Sequence, residues 1–252
     1  MKNTKRLPEF GQWPDRFIPA AILLGAIGLI GGFLLAFLYA SPVNGASVNG
    51  AEPIGESMVS HKLLLSQKIF YFHMPAAMAS LIALLFMAYY SLRLLLSRQQ
   101  RYDTCAKCAM EVGFVFIVIT MLTGEMWTRF EWGVWWTWEP RLTTYLVLTL
   151  ATLAYFVLRN AIDSPERRSV FAAAFGLIVF ADVPLTLVVT RILPSSLHPV
   201  VFREGGLSPD MAISLAICAV GMLALAFVMY RIRFRQERLN ERSLAIKEEL
   251  GA

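Results

Sequence analysis

The chain has 252 residues, of which 57% are hydrophobic and 16% charged, and its mean hydropathy is +0.56. Soluble domains average about 45–50% apolar and about 25% charged residues, so these values exclude an ordinary water-soluble fold and imply an all-α, polytopic membrane protein. The net charge of +5 is scattered between apolar runs, which reads as membrane topology, with lipid and not nucleic acid as the surrounding partner. Three cysteines (Cys105, Cys108, Cys218) are too few for a disulfide-stapled scaffold.

Residues 1–16 are polar and basic, and 17–40 form an uncharged apolar run. That run is long enough to cross a hydrocarbon core of about 30 Å at about 1.5 Å per residue. It exceeds the apolar core of a signal peptide, about 7–15 residues, and no small-x-small cleavage site follows, so a retained span is expected. Residues 41–68, rich in Ser, Pro, Gly and Asn, read as a loop. Five further spans are expected at about 69–96, 108–126, 142–158, 169–190 and 211–230. A charged tail over 231–252 reads as a separate surface helix. No internal repeat or soluble domain is visible, so the whole of 1–252 is expected to form one integral membrane domain.

Six spans put both termini on one side. If that side is the cytoplasm, 17 of the 23 Lys and Arg residues lie inside. The six outside are Lys62, Lys68, Arg129, Arg141, Arg191 and Arg203. The positive-inside rule therefore predicts cytoplasmic termini. Segment 127–141, between spans three and four, and all three histidines then face outward.

Segment 127–141 is the unusual one. Five of the six tryptophans (Trp127, Trp132, Trp135, Trp136 and Trp138) fall within it, followed by Glu139-Pro140-Arg141. Read as a helix, Trp132, Trp135, Trp136 and Glu139 stand at i, i+3, i+4 and i+7, on one face. Such a shelf is either an aromatic belt at the membrane surface or a platform for a flat aromatic ligand. A belt requires one or two aromatics per helix end and has no need of Gly133 or the Trp-Glu-Pro-Arg tail. His73, in Tyr-Phe-His-Met-Pro near the outer end of span two, and His198, in the outer Leu-His-Pro loop, reach the same membrane face from either side of this segment in sequence. A neutral imidazole is a common metal ligand, heme iron included, although a lone His at such a place equally snorkels or caps a helix.

The run Trp-Gly-Val-Trp-Trp-Thr-Trp-Glu-Pro-Arg-Leu-Thr (133 being its Gly) resembles the tryptophan-rich, WWD-type heme-handling signature of cytochrome c assembly membrane proteins. Length and layout are most similar to the heme exporter protein C family of the cytochrome c maturation system. The signature commonly carries Asp where Glu139 stands, and Glu-Pro is closer to the larger heme lyase relatives. The resemblance covers most of the chain in topology, but its specific motifs occupy about 68–75, 127–144 and 197–199.

The resemblance implies heme b, held non-covalently as a transported ligand at the periplasmic face of the bacterial inner membrane. His73 and His198 would be the axial ligands of the iron, with the tryptophans against the macrocycle. Heme propionates call for cations; Arg141 and then Lys68 are the candidates. Glu139 is grouped with them as part of the motif, and His61 is a spectator. The partners implied are a periplasmic heme chaperone that receives the heme, the ATPase and membrane subunits of an ABC transporter, and a small single-span subunit. No G-x-x-x-x-G-K-[ST] run occurs in the chain, so ATP hydrolysis belongs to a partner and no catalysis is expected of the chain itself. Two alternatives stand beside this reading: a heme lyase joining heme to apocytochrome, and a permease subunit for another small molecule. Asp182, within span five before Pro184, is expected to make a helix-to-helix hydrogen bond. Cys105-Ala-Lys-Cys108 lacks the second ligand pair of a zinc site and the His of a covalent heme site, and reads as structural.

Overall fold

In hydrocarbon a backbone must satisfy its own polar groups, and apolar runs of this length do so as helices. The computed structural model describes residues 17–41, 56–193 and 207–250, and these fold into six helices with no strand among them. They are α1 (Phe17–Leu38), α2 (Glu56–Ser97), α3 (Arg101–Trp132), α4 (Pro140–Asn160), α5 (Pro165–Ile192) and α6 (Pro209–Leu250). Each is long and apolar enough to cross a membrane. The protein is therefore an all-helical, multi-pass membrane protein.

Two expectations about the helices are corrected. Residues 56–68 are not loop but the first turns of α2, and the charged tail is not a separate helix but the end of α6. Each of these helices has 42 residues, about 63 Å at 1.5 Å per residue, twice the thickness of a hydrocarbon core. Residues 231–250 contain neither Gly nor Pro, so nothing in the backbone interrupts α6 as it leaves the apolar region. The α3 helix likewise overruns its expected span at both ends.

What supports the extension of α6 is an antiparallel ladder of charges. Glu111 of α3 pairs with Arg233 at 2.7 Å, Lys107 with Glu237 at 2.6 Å, and Thr104 donates to Glu241 at 2.5 Å. Each step of three or four residues down α3 is matched by four residues up α6, which is the spacing of one helix face. Nearby, Arg159 from the last turn of α4 holds Asp103 of α3 by two bonds, at 2.7 and 2.5 Å. Gln100 reaches Ser169 of α5 at 3.1 Å. This polar end of the bundle gathers the α2–α3 turn, where Arg98 takes a φ of 55°, and the α4–α5 turn capped by Ser164.

The helices pack chiefly as α2 on α3, α1 on α6 and α4 on α5, with α2 also touching α5 and α6. Leu84, Met87, Met110, Ile117, Leu148, Tyr155 and Val179 fill the shared core of α2 to α5. The α1–α6 pair uses small residues instead. A Cβ at Gly28 would stand 2.7 Å from the Gly221 Cα, and one at Gly221 would stand 2.6 Å from the Leu29 nitrogen. Helices that share lipid as solvent gain little from apolar burial and associate through such close backbone approach. The remaining face of α1, with Leu23, Ile27, Ile30 and Leu34 exposed, is apolar as lipid contact requires.

Candidate functional site

The other end of the bundle carries the tryptophans, and several bonds draw its elements together. Gln67 of α2 donates to the Ser41 carbonyl just beyond α1 at 2.7 Å, and the Ser41 amide donates to Asp210 of α6 at 2.5 Å. Lys68 donates to the Ala36 carbonyl in the last turn of α1, and its ammonium lies 5.7 Å from the centre of the Phe37 ring. A cation at a helix C-terminus satisfies carbonyls left without intrahelical donors. Lys68 is thereby tied to α1.

The tryptophan segment is not one helix, which corrects the expected shelf. The α3 helix ends at Trp132, and Gly133 follows at φ 78°, in the left-handed region that glycine adopts without steric cost. Residues 133–139 then run without regular structure to Glu139, the N-cap of α4. The Glu139 side chain accepts from the Arg141 amide at 2.9 Å and the Leu142 amide at 3.1 Å, and Pro140 occupies the first helical position. Proline is suited to that position because its missing N–H would have no helical partner. Glu139 is 5% exposed; its carboxylate starts α4.

The strap has its own fastenings. Thr128, fully buried, has its one hydroxyl hydrogen between the Glu125 carbonyl at 2.8 Å and the Trp135 carbonyl at 2.9 Å, and Arg129 donates to the Gly133 carbonyl while its guanidinium lies 5.9 Å from the Trp135 ring centre. The indoles do not lie in one plane. Trp127 and Trp132 meet edge to face with centroids 5.2 Å apart, and Trp136 and Trp138 do the same at 5.6 Å. Edge-to-face contact is the favoured geometry of aromatic pairs. Trp135 and Trp138 remain 60% and 75% exposed. Indoles fixed by a hydrogen-bonded strap yet left open at the surface suit a surface that receives something flat and apolar, or lipid.

Below the strap, α2, α3 and α4 bring polar groups together inside the bundle. His73 of α2 is partly buried, with Nδ1 3.0 Å from the Thr123 hydroxyl of α3. Gly124 lies against the ring, and a Cβ there would come within 3.2 Å of the His73 Cε1. Arg141 stands in the first turn of α4 at this same end, partly buried, and its amide donates to the Glu139 carboxylate. Deeper still, Ser80 of α2 and Tyr145 of α4 share a hydrogen bond of 3.1 Å. An imidazole, a guanidinium and exposed indoles at one end of the bundle form a donor set that fits an iron porphyrin with acidic side groups.

Of the residues expected from sequence, His73, Lys68, Arg141, Glu139 and the five tryptophans thus lie at this one end. His198 lies outside the described residues, as do Arg203 and the outer loop. His61 belongs to α2. Thr123 and Gly124 were not expected; the signal was Thr120-Met-Leu-Thr123-Gly124, a polar interruption in an apolar helix. Asp182 accepts from Thr186 of its own helix at 3.2 Å, so the bond seen is within α5 and not the helix-to-helix bond expected. Cys105, Cys108 and Cys218 are free thiols, the last two buried.

Comparison with known proteins identifies the family of the chain. A model of the family described as Heme exporter protein C matches residues 60–248. Heme exporter protein C of Bradyrhizobium diazoefficiens is 31% identical over 198 residues, covering 73% of this chain and 75% of that protein. The Rhodobacter capsulatus protein of the same name is 27% identical over 96% of each chain, and that of Escherichia coli 29% identical over 68% of this chain and 69% of its own. The chain belongs to the heme exporter protein C family.

Proposed function

We propose that the protein takes part in heme export for cytochrome c maturation, binding heme b non-covalently at its tryptophan end and delivering it to a periplasmic heme chaperone. The observation that carries this reading is the contact of His73 with Thr123, which joins α2 to α3 at the same end of the bundle as a strap that leaves Trp135 and Trp138 exposed. A belt for lipid needs the tryptophans but not a partly buried imidazole held against a hydroxyl of the neighbouring helix.

In this reading heme is the cargo. His73 supplies one axial imidazole, and His198 supplies the other from the outer loop. Arg141, in the first turn of α4 beside its N-cap Glu139, faces a propionate, a charge-assisted contact stronger than a neutral one. Trp127, Trp132, Trp135, Trp136 and Trp138 give the macrocycle apolar contact and keep water from it. Lys68, tied to the end of α1, relates the first helix to the site instead of serving as a free cation. The tryptophan end is periplasmic, both termini and the charge ladder are cytoplasmic, and the membrane is the bacterial inner membrane, as the distribution of Lys and Arg supports. ATP-driven steps fall to ABC-type ATPase and membrane subunits, assisted by a small single-span subunit. A site at the edge of the membrane can exchange its ligands as the chaperone approaches.

The Glu-Pro pair, the one feature closer to heme lyases, has a local cause here: Glu139 caps α4 and Pro140 opens it. Delivery is therefore favoured over ligation to apocytochrome. The test is to load the purified full chain with heme and offer it a periplasmic heme chaperone and an apocytochrome together. Heme is expected on the chaperone; heme appearing on the apocytochrome cysteines without the chaperone would establish the lyase reading instead.

A further inference from the structure

We propose that Thr123 is a positioning residue that holds the hydrogen of the His73 ring on Nδ1 and so presents the Nε2 lone pair to a metal. The inference rests on the reading of His73 as a ligand and adds what sets the ring for that role. It follows from counting hydrogens. A threonine hydroxyl has one hydrogen to donate. In α3 the Thr123 hydroxyl donates to the Ile119 carbonyl at 2.7 Å, with the Thr120 carbonyl 3.2 Å away on the same side. This back-bonding to the preceding turn is the usual disposition of a threonine within a helix. With its hydrogen committed there, the oxygen meets Nδ1, 3.0 Å away, as an acceptor. Nδ1 must then carry the ring hydrogen. The Thr120 carbonyl, which the Thr123 hydroxyl also faces, is a second acceptor beside the ring, so the replacement of Thr123 tests which of the two holds the hydrogen.

Which imidazole nitrogen is free to bind a metal is decided by the bond that the other one makes. Gly124 supports the same arrangement sterically. It is the next residue of α3, and any side chain there would press on Cε1, the ring carbon between the two nitrogens. One stretch of helix thus supplies both the acceptor for Nδ1 and the space in which the ring lies. The Thr123 contact raises the electron density that Nε2 offers, as an outer hydrogen bond does for metal-bound histidines.

The first readout needs no heme. The full chain, carrying isotope-labelled histidine, is purified in detergent micelles, and nuclear magnetic resonance identifies which ring nitrogen of His73 bears hydrogen. The signal is assigned by its loss in His73→Gln. The wild type and Thr123→Ser are expected to carry it on Nδ1, and Thr123→Val, which keeps the shape and removes the acceptor, to move it wholly or partly to Nε2. Hydrogen on Nε2 in the wild type, or a Thr123→Val ring unchanged from wild type, would overturn the proposal.

The second readout is heme titration. Thr123→Val is expected to bind about tenfold more weakly, the lower end of the roughly 10–100-fold that outer partners of a metal ligand contribute, while Thr123→Ser stays near wild type. A moved hydrogen with unchanged affinity would show that Thr123 has no positioning role. If the wild type binds no heme, the reading of the site fails on its own account, and the ring hydrogen still decides whether Thr123 sets the tautomer.

Discussion

Replacing His73 by alanine is expected to lower heme affinity by more than about a hundredfold, beyond the roughly 10–100-fold associated with removing an outer partner of a metal ligand. The reason is local. His73 is the imidazole that the bundle orients, between the Thr123 hydroxyl and the open flank of Gly124. Alanine removes the donor atom while leaving Thr123 and Gly124 in place, so a vacancy of imidazole shape remains. Free imidazole added to the solution should therefore restore part of the affinity, which a misfolded variant would not allow. Titration followed at the Soret band checks both. His61→Ala is expected to titrate like the wild type. If His73→Ala does so as well, His73 is a packing residue and the iron is held elsewhere.

Asp103→Ala is expected to cost about 3–5 kcal/mol, the effect of leaving one partner of a buried ion pair without the other. The side chains of Arg159 and Asp103 are 9% and 16% exposed, and the two hydrogen bonds between them join α3 to the end of α4. Removal of the carboxylate leaves a guanidinium that can neither lose its proton nor easily reach water. Converting both, as Asp103→Leu with Arg159→Met, should recover most of the loss, because an apolar pair of similar volume avoids desolvating two charges. Thermal unfolding of the detergent-solubilised chain reads this directly. An Asp103→Ala melting temperature equal to wild type would mean that the pair is solvated and contributes nothing. Heme affinity should not move in either variant, since Asp103 is twenty residues from Thr123 on α3, about 30 Å along the helix.

The six apolar runs, and with them the helical membrane fold, could be read from composition and length alone, because hydrocarbon leaves a backbone few alternatives. Helix ends were less legible. Glu56 to Lys68 reads as loop with the Gly- and Asn-rich stretch before it, yet belongs to α2; the charges after Tyr230 suggest an end to α6, yet they are what dock it on α3. In the tryptophan segment the helical spacing of Trp132, Trp135 and Trp136 was outweighed by two signals that were present in the sequence. Gly133 stops α3 in a left-handed turn, and Glu139-Pro140 starts α4.

His73 stood out as an imidazole near the outer end of an apolar span, and Arg141 as the cation that closes the tryptophan run. Thr123 and Gly124 did not, for a different reason. They lie fifty residues from His73, and the register of α2 on α3 is fixed by side-chain packing, while helices exposed to lipid are apolar on their outer faces too. Pattern alone does not say which face of one helix meets which face of the next.

Heme binding at the tryptophan end through two imidazoles would leave a spectroscopic signature. Its most direct test is the absorption and resonance Raman spectrum of the purified full chain with added heme, beside His73→Ala and His198→Ala. A six-coordinate, low-spin heme is expected in the wild type, becoming five-coordinate or lost in each variant. A wild-type spectrum identical to that of heme in detergent alone, or one that neither replacement alters, would contradict it.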